Sequence, residues 1–193
     1  NGAQDYDYIF RCTEMAGKIV HIPRVLYHWR VHSASTADNP ASKLYAYEAG
    51  KKAIEGNLAR CGEEGTVTLR SDYGFYDVDY KLRGTPLVSI LIPNKDQADT
   101  LRTCLESIKK KCMYPSYEIL IIENNSTEEA TFSYYKELEA QGIRVLKYPK
   151  QGFNYSAINN FGVKEAKGEY LLFLNNDMEI ITPDFMEKMV SNL

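Results

Sequence analysis

Two carboxamides and two carboxylates follow an apolar run near the end of the sequence. The run at residues 170–174 is followed by Asn175, Asn176, Asp177 and, two positions on, Glu179. Oxygen ligands of this kind suit Mg²⁺ or Mn²⁺, which bind through one or two carboxylates together with substrate phosphates. A solvated turn without a ligand is the alternative. The stretch marks a candidate metal site.

A second polar cluster, E-N-N-S-T at residues 123–127, follows another apolar run. Its side chains can accept and donate hydrogen bonds to the base or ribose of a nucleotide. The same stretch also suits the start of a helix, with Ser126 or Thr127 as N-cap and the next two glutamates favoured by the helix dipole. The local pattern leaves both interpretations open.

The stretch after the first apolar run, P-N-K-D-Q at residues 93–97, contains no glycine. A P-loop or a dinucleotide fingerprint needs glycines at this place, so that the backbone can approach phosphate. Both motifs are excluded here, and a dehydrogenase or P-loop kinase loses its main support.

These polar stretches need a scaffold that brings them together. Short apolar runs alternate with segments whose apolar residues repeat at helical spacing, which predicts a parallel sheet with helices on both sides. The three apolar runs, at residues 88–93, 117–122 and 170–174, suit strands covered on both faces. A further short strand is predicted at residues 144–148. The predicted helices are residues 101–108, 132–141 and 156–166. Ligands of such a sheet bind beyond the carboxyl ends of its strands, where the polar stretches lie.

The first 86 residues have a different pattern, which predicts an α+β segment. Helices are expected at residues 5–15 and 40–60, and strands at residues 18–22, 66–69 and 74–80.

The composition describes a globular protein without a charged tail. The chain has 193 residues, 23 Lys and Arg against 26 Asp and Glu, and a net charge of −3. No basic run exceeds three residues, so no nucleic-acid partner is expected. The four cysteines lack zinc-ligand spacing. No apolar run reaches the roughly 20 residues of a transmembrane segment. We expect a cytoplasmic protein, with a peripheral position at the inner face of the membrane left open for the full-length protein.

Four segments in order resemble the inverting family 2 glycosyltransferases of the GT-A fold. They are V-S-I-L-I-P-N-K-D at 88–96, I-L-I-I-E-N-N-S-T at 119–127, G-F-N-Y-S-A-I-N-N-F-G at 152–162 and G-E-Y-L-L-F-L-N-N-D at 168–177. The resemblance covers about residues 86–193. It implies a Rossmann-like, mostly parallel sheet with flanking helices, in an incomplete domain that is preceded by the α+β segment. Residues 87–193 would be the nucleotide-binding half.

The resemblance also implies an activity of the hexosyltransferase type. A sugar would pass from a nucleotide diphosphate sugar to a saccharide acceptor in bacterial polysaccharide biosynthesis, with Mg²⁺ or Mn²⁺ as cofactor. Asp177 matches the metal-binding acid of the family's D-x-D motif, and Asn175 replaces its first acid. The implied donor contacts are Pro93, Lys95, Glu123, Asn124, Gly152, Asn154, Asn160 and Asn176. A UDP-sugar is the expected donor, and other bases stay open because the usual acidic pair is reduced to Glu123.

The N-terminal segment resembles the other half of such a module. A-Q-D-Y-D-Y-I-F-R at 3–11 is similar to the acceptor-side acidic motif, which implies Asp5 as catalytic base; alternatively Asp5 only stabilises a helix start. L-Y-H-W-R-V-H-S-A-S-T at 26–36 is similar to the closing segment. His28, Arg30 and His32 could contact diphosphate or metal, serve structure, or include a zinc pair at i, i+4 that lacks a third ligand. Residues 1–36 would end one module, and residues 37–86 would be a linker.

This organisation implies a piece of a longer tandem enzyme. We expect the fragment alone to be inactive in transfer unless its two halves assemble. The segment around Asp5 and His32 would then pack near the carboxyl end of the strand that finishes at Leu174, within one chain or by segment exchange in a homodimer. A non-catalytic nucleotide-binding or interaction module is the competing function.

Overall fold

The protein consists of two compact units, Asn1–Lys81 and Leu82–Leu193. A computed structural model describes residues 2–28 and 44–193. Arg30 and His32 lie outside the described residues. Within the described ranges, no helix is long and apolar enough to cross a membrane.

The first unit contains two helices and a small sheet. Its elements are α1 (Gln4–Met15), α2 (Leu44–Cys61), β1 (Gly65–Leu69) and β2 (Tyr76–Tyr80). The two strands pair antiparallel, and a small core of Ile54, Leu58 and Val67 lies between α2 and the sheet. The predictions for α1, α2 and both strands are therefore confirmed, although residues 40–43 of the second predicted helix lie outside the described residues.

The strand predicted at residues 18–22 is wrong. These residues have no strand structure, and the side chains of Ile19 and Val20 are 72% and 68% exposed. A strand is stabilised by pairing with a neighbour, and no described strand pairs with this segment. The apolar pattern of residues 18–22 predicted a strand, but the pattern carries no information about a neighbouring strand.

The second unit is a four-stranded parallel sheet with flanking helices. The strands are β3 (Val88–Asn94), β4 (Tyr117–Glu123), β5 (Arg144–Lys147) and β6 (Tyr170–Phe173), in the spatial order β5-β4-β3-β6. The helices are α3 (Ala98–Lys111), α4 (Glu129–Ala140), α5 (Tyr155–Val163) and α6 (Phe185–Ser191). All strand pairs are parallel. The predicted parallel α/β sheet with flanking helices, which the GT-A resemblance implied, is confirmed.

The central strands are buried on both faces because helices cover both sides of the sheet. Ile90 and Ile92 of β3 pack in one core with Leu101 and Leu105 of α3. Leu91, which points to the opposite face, packs with Ile158 of α5 and with Ile122. This arrangement explains the nearly continuous apolar runs of β3 and β4.

The edge strand β6 differs from the prediction that all apolar runs are covered on both faces. Its side chains alternate between half-buried and exposed, with Leu171 39% and Phe173 47% exposed. β6 pairs with β3 on one side and is the last strand of the sheet. The apolar run of an edge strand is therefore indistinguishable, in sequence, from that of a central strand.

Candidate functional site

The carboxyl ends of β3, β4 and β6 lie side by side, because β3 pairs in parallel with both other strands. The order of the strands reverses here: β4 and β5 extend to one side of β3, and β6 returns on the other. Open α/β sheets bind ligands beyond the carboxyl ends of their strands at such a switch point. The three polar stretches of the sequence therefore meet at one edge of the sheet.

A cleft of about 570 Å³ opens at this edge, a size typical of small-molecule sites, which span roughly 300–1,000 Å³. Lys95 is the one charged residue among its lining residues, and five others carry amide side chains. The lining residues are Pro93, Asn94, Lys95, Asn124, Asn125, Thr127, Gln151, Gly152, Phe153 and Asn176. We call this the amide cleft. Five of the predicted donor contacts line it: Pro93, Lys95, Asn124, Gly152 and Asn176.

A second cleft of about 530 Å³ shares three lining residues with the amide cleft, namely Pro93, Phe153 and Asn176. Its other lining residues are Tyr155, Asn175 and Asp177. We call it the Asp177 cleft. The two residues expected to hold a metal and five of the eight expected to hold a nucleotide therefore line two adjoining clefts, whereas Glu123, Asn154 and Asn160 are not among the lining residues.

Asn94, the last residue of β3, lines the amide cleft and binds Asn176, which lines both clefts. Its side chain is 2% exposed, and its Oδ1 accepts a hydrogen bond of 2.6 Å from Nδ2 of Asn176. Its Nδ2 donates to the hydroxyl of Tyr135 at 2.7 Å and to the backbone oxygen of Asp96 at 2.9 Å. Asn94 and Tyr135 were missed as site residues. A polar residue that closes a buried apolar run was the signal for Asn94, whereas nothing in the sequence marks Tyr135.

Asp96 ties the loop after β3 to the loop after β4, and its role was also missed. Its Oδ1 accepts hydrogen bonds from the backbone N–H groups of Thr127 at 2.7 Å and Glu128 at 2.9 Å. Its own N–H donates to Oγ of Ser126 at 2.9 Å. The two backbone donors, first Glu128 and then Thr127, lower the pKa of Asp96 below its ordinary value.

The loop after β4 is therefore held by a carboxylate from the loop after β3. The N-cap of α4 is Glu128, and no side chain of that residue makes the capping hydrogen bond. The alternative prediction, that Ser126 or Thr127 is the N-cap, is wrong. Asp96 binds the N–H groups of Thr127 and Glu128, which directly precede the first helical residue, Glu129.

Glu123 is 4% exposed, and its Oε1 accepts a hydrogen bond of 2.5 Å from the backbone N–H of Ser126. Asn124, also 4% exposed, lines the amide cleft. Asn125 donates from Nδ2 to the backbone oxygen of Lys150 at 3.0 Å, and its φ is 60°. The last residue of β4 thus fixes a loop whose asparagines form one wall of the cleft.

Gly152, Asn154 and Asn160 lie around α5. Gly152 has a φ of 85°, a left-handed conformation that glycine adopts without strain. Asn154 is the N-cap of α5 and accepts a hydrogen bond of 3.0 Å from the N–H of Ala157. Asn160 is exposed on α5 and is not among the residues that line the two clefts. The side chain of Asn154 thus serves the helix start.

Asp177 and Asn175 are both exposed and line the same cleft. Oδ1 of Asn175 accepts a long hydrogen bond of 3.5 Å from the hydroxyl of Tyr155. Cys104 lies beneath them, with Sγ 3.8 Å from the backbone oxygen of Asn175. Burial, with the charge of Asp177 adding to it, raises the pKa of Cys104 to about 11, so this thiol is neutral at pH 7. Within residues 2–28 and 44–193, no group of three or more His, Cys, Asp or Glu could hold a metal ion.

Asp5 and His28 belong to the first unit, and both are exposed. Asp5 lies in the first turn of α1, where its Oδ1 accepts a hydrogen bond of 2.9 Å from the N–H of Tyr6. Glu14 at the other end of α1 pairs with Arg60 of α2 at 2.8 Å. Hydrogen bonds from Arg60 and then from Asn57 lower the pKa of Glu14 to about 2. Asp5 is therefore carried on a helix that is anchored to α2.

Comparisons with known proteins find relatives along almost the whole chain. The O-antigen biosynthesis protein RfbC of Myxococcus xanthus is 42% identical over 191 residues, which cover 99% of this chain and 15% of that protein. The uncharacterized protein y4gI of Sinorhizobium fredii is 40% identical over 195 residues, covering 98% of this chain and 21% of that protein. The chain thus spans about a fifth or less of the length of these relatives.

Among solved structures, the mannosyltransferase PcManGT from Pyrobaculum calidifontis in complex with GDP-Man and Mn²⁺ is 16% identical, with a TM-score of 0.49. The similarity covers 78% of this chain and 42% of that one. The model of the family "Glycosyl transferase family 2" matches residues 89–193, more than half of the chain. The chain belongs to glycosyl transferase family 2.

Proposed function

We propose that the second unit binds the nucleotide diphosphate sugar of a metal-assisted, inverting glycosyltransferase. The observation that carries this proposal is the pair of adjoining clefts at the switch point of the sheet, which share Pro93, Phe153 and Asn176. One cleft offers amides and the cation Lys95, and the other offers the carboxylate of Asp177. The amides suit a nucleoside, the positive charge of Lys95 suits a diphosphate, and the carboxylate of Asp177 suits a divalent cation.

The amide cleft suits the nucleoside. Amide side chains carry both donors and an acceptor, as the edges of a base and the hydroxyls of a ribose require. Phe153 is 76% exposed, and its ring offers a flat apolar face for stacking. Lys95 is exposed and supplies a positive charge for a phosphate oxygen. A UDP-sugar is the first donor to test.

The Asp177 cleft suits the diphosphate and its cation. The carboxylate of Asp177 and Oδ1 of Asn175 are hard oxygen ligands, and Mg²⁺ and Mn²⁺ commonly combine one or two such groups with phosphate oxygens. The cation would neutralise the charge that develops on the departing diphosphate. Asp177 and Asn175 hold it, while Asn176 reaches from this cleft into the amide cleft.

We propose that residues 1–36 are the acceptor-side end of a preceding module, with Asp5 as its general base, and that residues 37–86 link it to the next. The match to RfbC supports this organisation because it covers 99% of the chain and so includes both units. The name of that relative supports a saccharide acceptor in the biosynthesis of a surface polysaccharide. In the complete enzyme, Asp5 would take the proton of the attacking hydroxyl.

The competing proposal is a nucleotide-binding module without catalysis. It is favoured by one observation: Asp177 is the only carboxylate among the residues that line either cleft in the described second unit. A single charged ligand would hold a cation weakly, and the chemistry would then have to be completed elsewhere.

Calorimetry distinguishes these proposals. The chain is titrated with UDP, GDP, ADP and dTDP, each with and without Mn²⁺, and donor-sugar hydrolysis is then followed for the nucleotide that binds best. Binding that Mn²⁺ strengthens, together with hydrolysis, supports the transferase. Binding without turnover supports the non-catalytic module, and absence of binding for every nucleotide contradicts both.

A further inference from the structure

We propose that the hydroxyl of Tyr135 is a positioning group that, together with the backbone oxygen of Asp96, holds the orientation of Asn94 and, through Asn94, that of the Asn176 side chain. In this arrangement Asn176 directs its N–H donors at Asn94 and keeps its carbonyl oxygen for the ligand. The inference rests on the proposed function for the nature of that ligand, a nucleotide diphosphate with a cation. The orientation itself depends on the protein alone.

Tyr135 lies outside both clefts. It belongs to α4, is 4% exposed, and does not appear among the lining residues of either cleft. Its hydroxyl accepts a hydrogen bond of 2.7 Å from Nδ2 of Asn94, which leaves its own O–H free to donate to Oγ of Ser126, 3.3 Å away. Any effect of this hydroxyl on a ligand must therefore pass through other residues.

Asn94 has one possible orientation in this surrounding. The backbone oxygen of Asp96, 2.9 Å from Nδ2, can only accept a hydrogen bond. The hydroxyl of Tyr135 uses the second N–H of the same nitrogen. With both donors of Asn94 occupied, Oδ1 is the atom that faces Asn176, and it accepts the 2.6 Å hydrogen bond from Nδ2 of that residue.

The orientation of Asn176 follows from that of Asn94. Its nitrogen is directed at Oδ1 of Asn94, and its own Oδ1 makes no hydrogen bond within the described part of the chain. Asn176 is also one of three residues that line both clefts. A carbonyl oxygen at this place suits a cation or a ribose hydroxyl, whereas an amide nitrogen would repel the cation.

Tyr135→Phe tests the relay by removing one oxygen atom and keeping the ring. Tyr134→Phe is the matched control: Tyr134 is the neighbouring residue on α4, is 5% exposed, and its ring lies 4.0 Å from the Arg102 guanidinium carbon. Its hydroxyl makes no hydrogen bond in the described residues. We expect Tyr135→Phe to weaken UDP binding in the presence of Mn²⁺ by about tenfold, or 1.4 kcal/mol, and Tyr134→Phe to leave it unchanged.

A double-mutant cycle with Asn176→Ala tests the route of the effect. If Tyr135 acts through Asn176, the loss in the double variant is clearly smaller than the product of the two single losses. Losses that multiply would overturn the relay, because Tyr135 would then affect the ligand by another route. Equal losses in Tyr135→Phe and Tyr134→Phe would overturn it as well.

Side-chain amide resonances in NMR test the relay without any ligand. Tyr135→Phe should shift the NH₂ signals of both Asn94 and Asn176, and Tyr134→Phe should shift neither. Unmoved Asn176 signals in a folded Tyr135→Phe protein overturn the inference even where UDP affinity falls. If the wild-type chain binds no nucleotide but Tyr135→Phe still causes the shifts, the proposed function is contradicted and the relay is supported. Should Tyr135→Phe not fold, Asn176→Asp tests the contact between Asn176 and Asn94, on which the relay depends. Its carboxylate has no N–H for Asn94, so the Asn94 signals must shift, and unmoved signals overturn the inference.

Discussion

At the scale of single residues, the site depends on polar groups that hold loops in place. Asp96, Gln97 and Asn125 have φ values of 53°, 57° and 60°, a region that costs a non-glycine residue roughly 1–2 kcal/mol. The carboxylate of Asp96 and the side chain of Asn125 each bind a neighbouring loop. Such strain persists where surrounding contacts determine the conformation, and it is frequent at binding sites.

Replacement of Glu123 by alanine should weaken the binding of UDP and the binding of free uridine by the same factor. In Glu123→Ala the N–H of Ser126 loses its acceptor, so the loop that carries Asn124 loosens, and we expect about a tenfold loss for both ligands, or 1.4 kcal/mol. Glu123→Gln keeps an acceptor oxygen and should retain most of the affinity. A loss confined to UDP in the calorimetric titrations would contradict this role.

Asp96 should make the stability of the second unit depend on acid pH. Its pKa is lowered in the folded protein by the N–H groups of Glu128 and Thr127, so its stabilising effect is present above the unfolded pKa of about 3.9 and is lost as the pH falls through the folded value. In urea titrations, wild type should lose more stability than Asp96→Asn between about pH 5 and pH 2. Equal pH profiles would show that Asp96 makes no net ionic contribution.

At the scale of elements, β3 and β4 could be predicted from the sequence because helices cover both faces of the sheet at Ile90, Leu91 and Ile92. The site could be predicted only in part. Asn175, Asn176 and Asp177 directly follow the predicted strand. The contact between Asn94 and Tyr135 spans 41 positions, and no local pattern encodes such a pairing. The hydrogen bonds from Thr127 and Glu128 to Asp96 are equally a product of tertiary structure.

Gly168 precedes β6 and should not tolerate a side chain. A Cβ at this residue would lie 2.5 Å from the backbone nitrogen of Ser89 and 2.8 Å from the backbone oxygen of Leu87. Because backbone atoms cannot move aside, Gly168→Ala should lower the free energy of unfolding by about 1–3 kcal/mol, measured by urea titration. Gly17→Ala is the control, since no atom lies within 4 Å of its Cβ position. Equal stabilities of the two variants would contradict the close approach of the chain at β3.

At the scale of the whole molecule, each unit has a core of its own. Ile54, Leu58 and Val67 form the core of the first unit, whereas the larger cores of the second unit lie on the two faces of its sheet. All residues that line the amide and Asp177 clefts belong to Leu82–Leu193. The proposed donor binding and the proposed acceptor-side chemistry of Asp5 therefore belong to different units.

This division predicts that a protein of residues 82–193 binds UDP with an affinity within about twofold of the 193-residue chain. Asp5→Asn in the whole chain should likewise leave UDP affinity unchanged. Calorimetry measures both. A loss of tenfold or more in either protein would show that the first unit takes part in donor binding.

The most direct test of the central claim is the affinity of the Asp177→Ala chain for UDP in the presence of Mn²⁺. Glu179→Ala is the matched control, because Glu179 is an exposed carboxylate close in sequence that pairs with Lys111 at 3.4 Å and lines neither cleft of the described second unit. If Asp177 holds the cation that binds the diphosphate, its replacement weakens binding by tenfold or more, about 1.4 kcal/mol or above, and Glu179→Ala keeps the wild-type affinity. An unchanged affinity in Asp177→Ala would contradict the metal-assisted donor site.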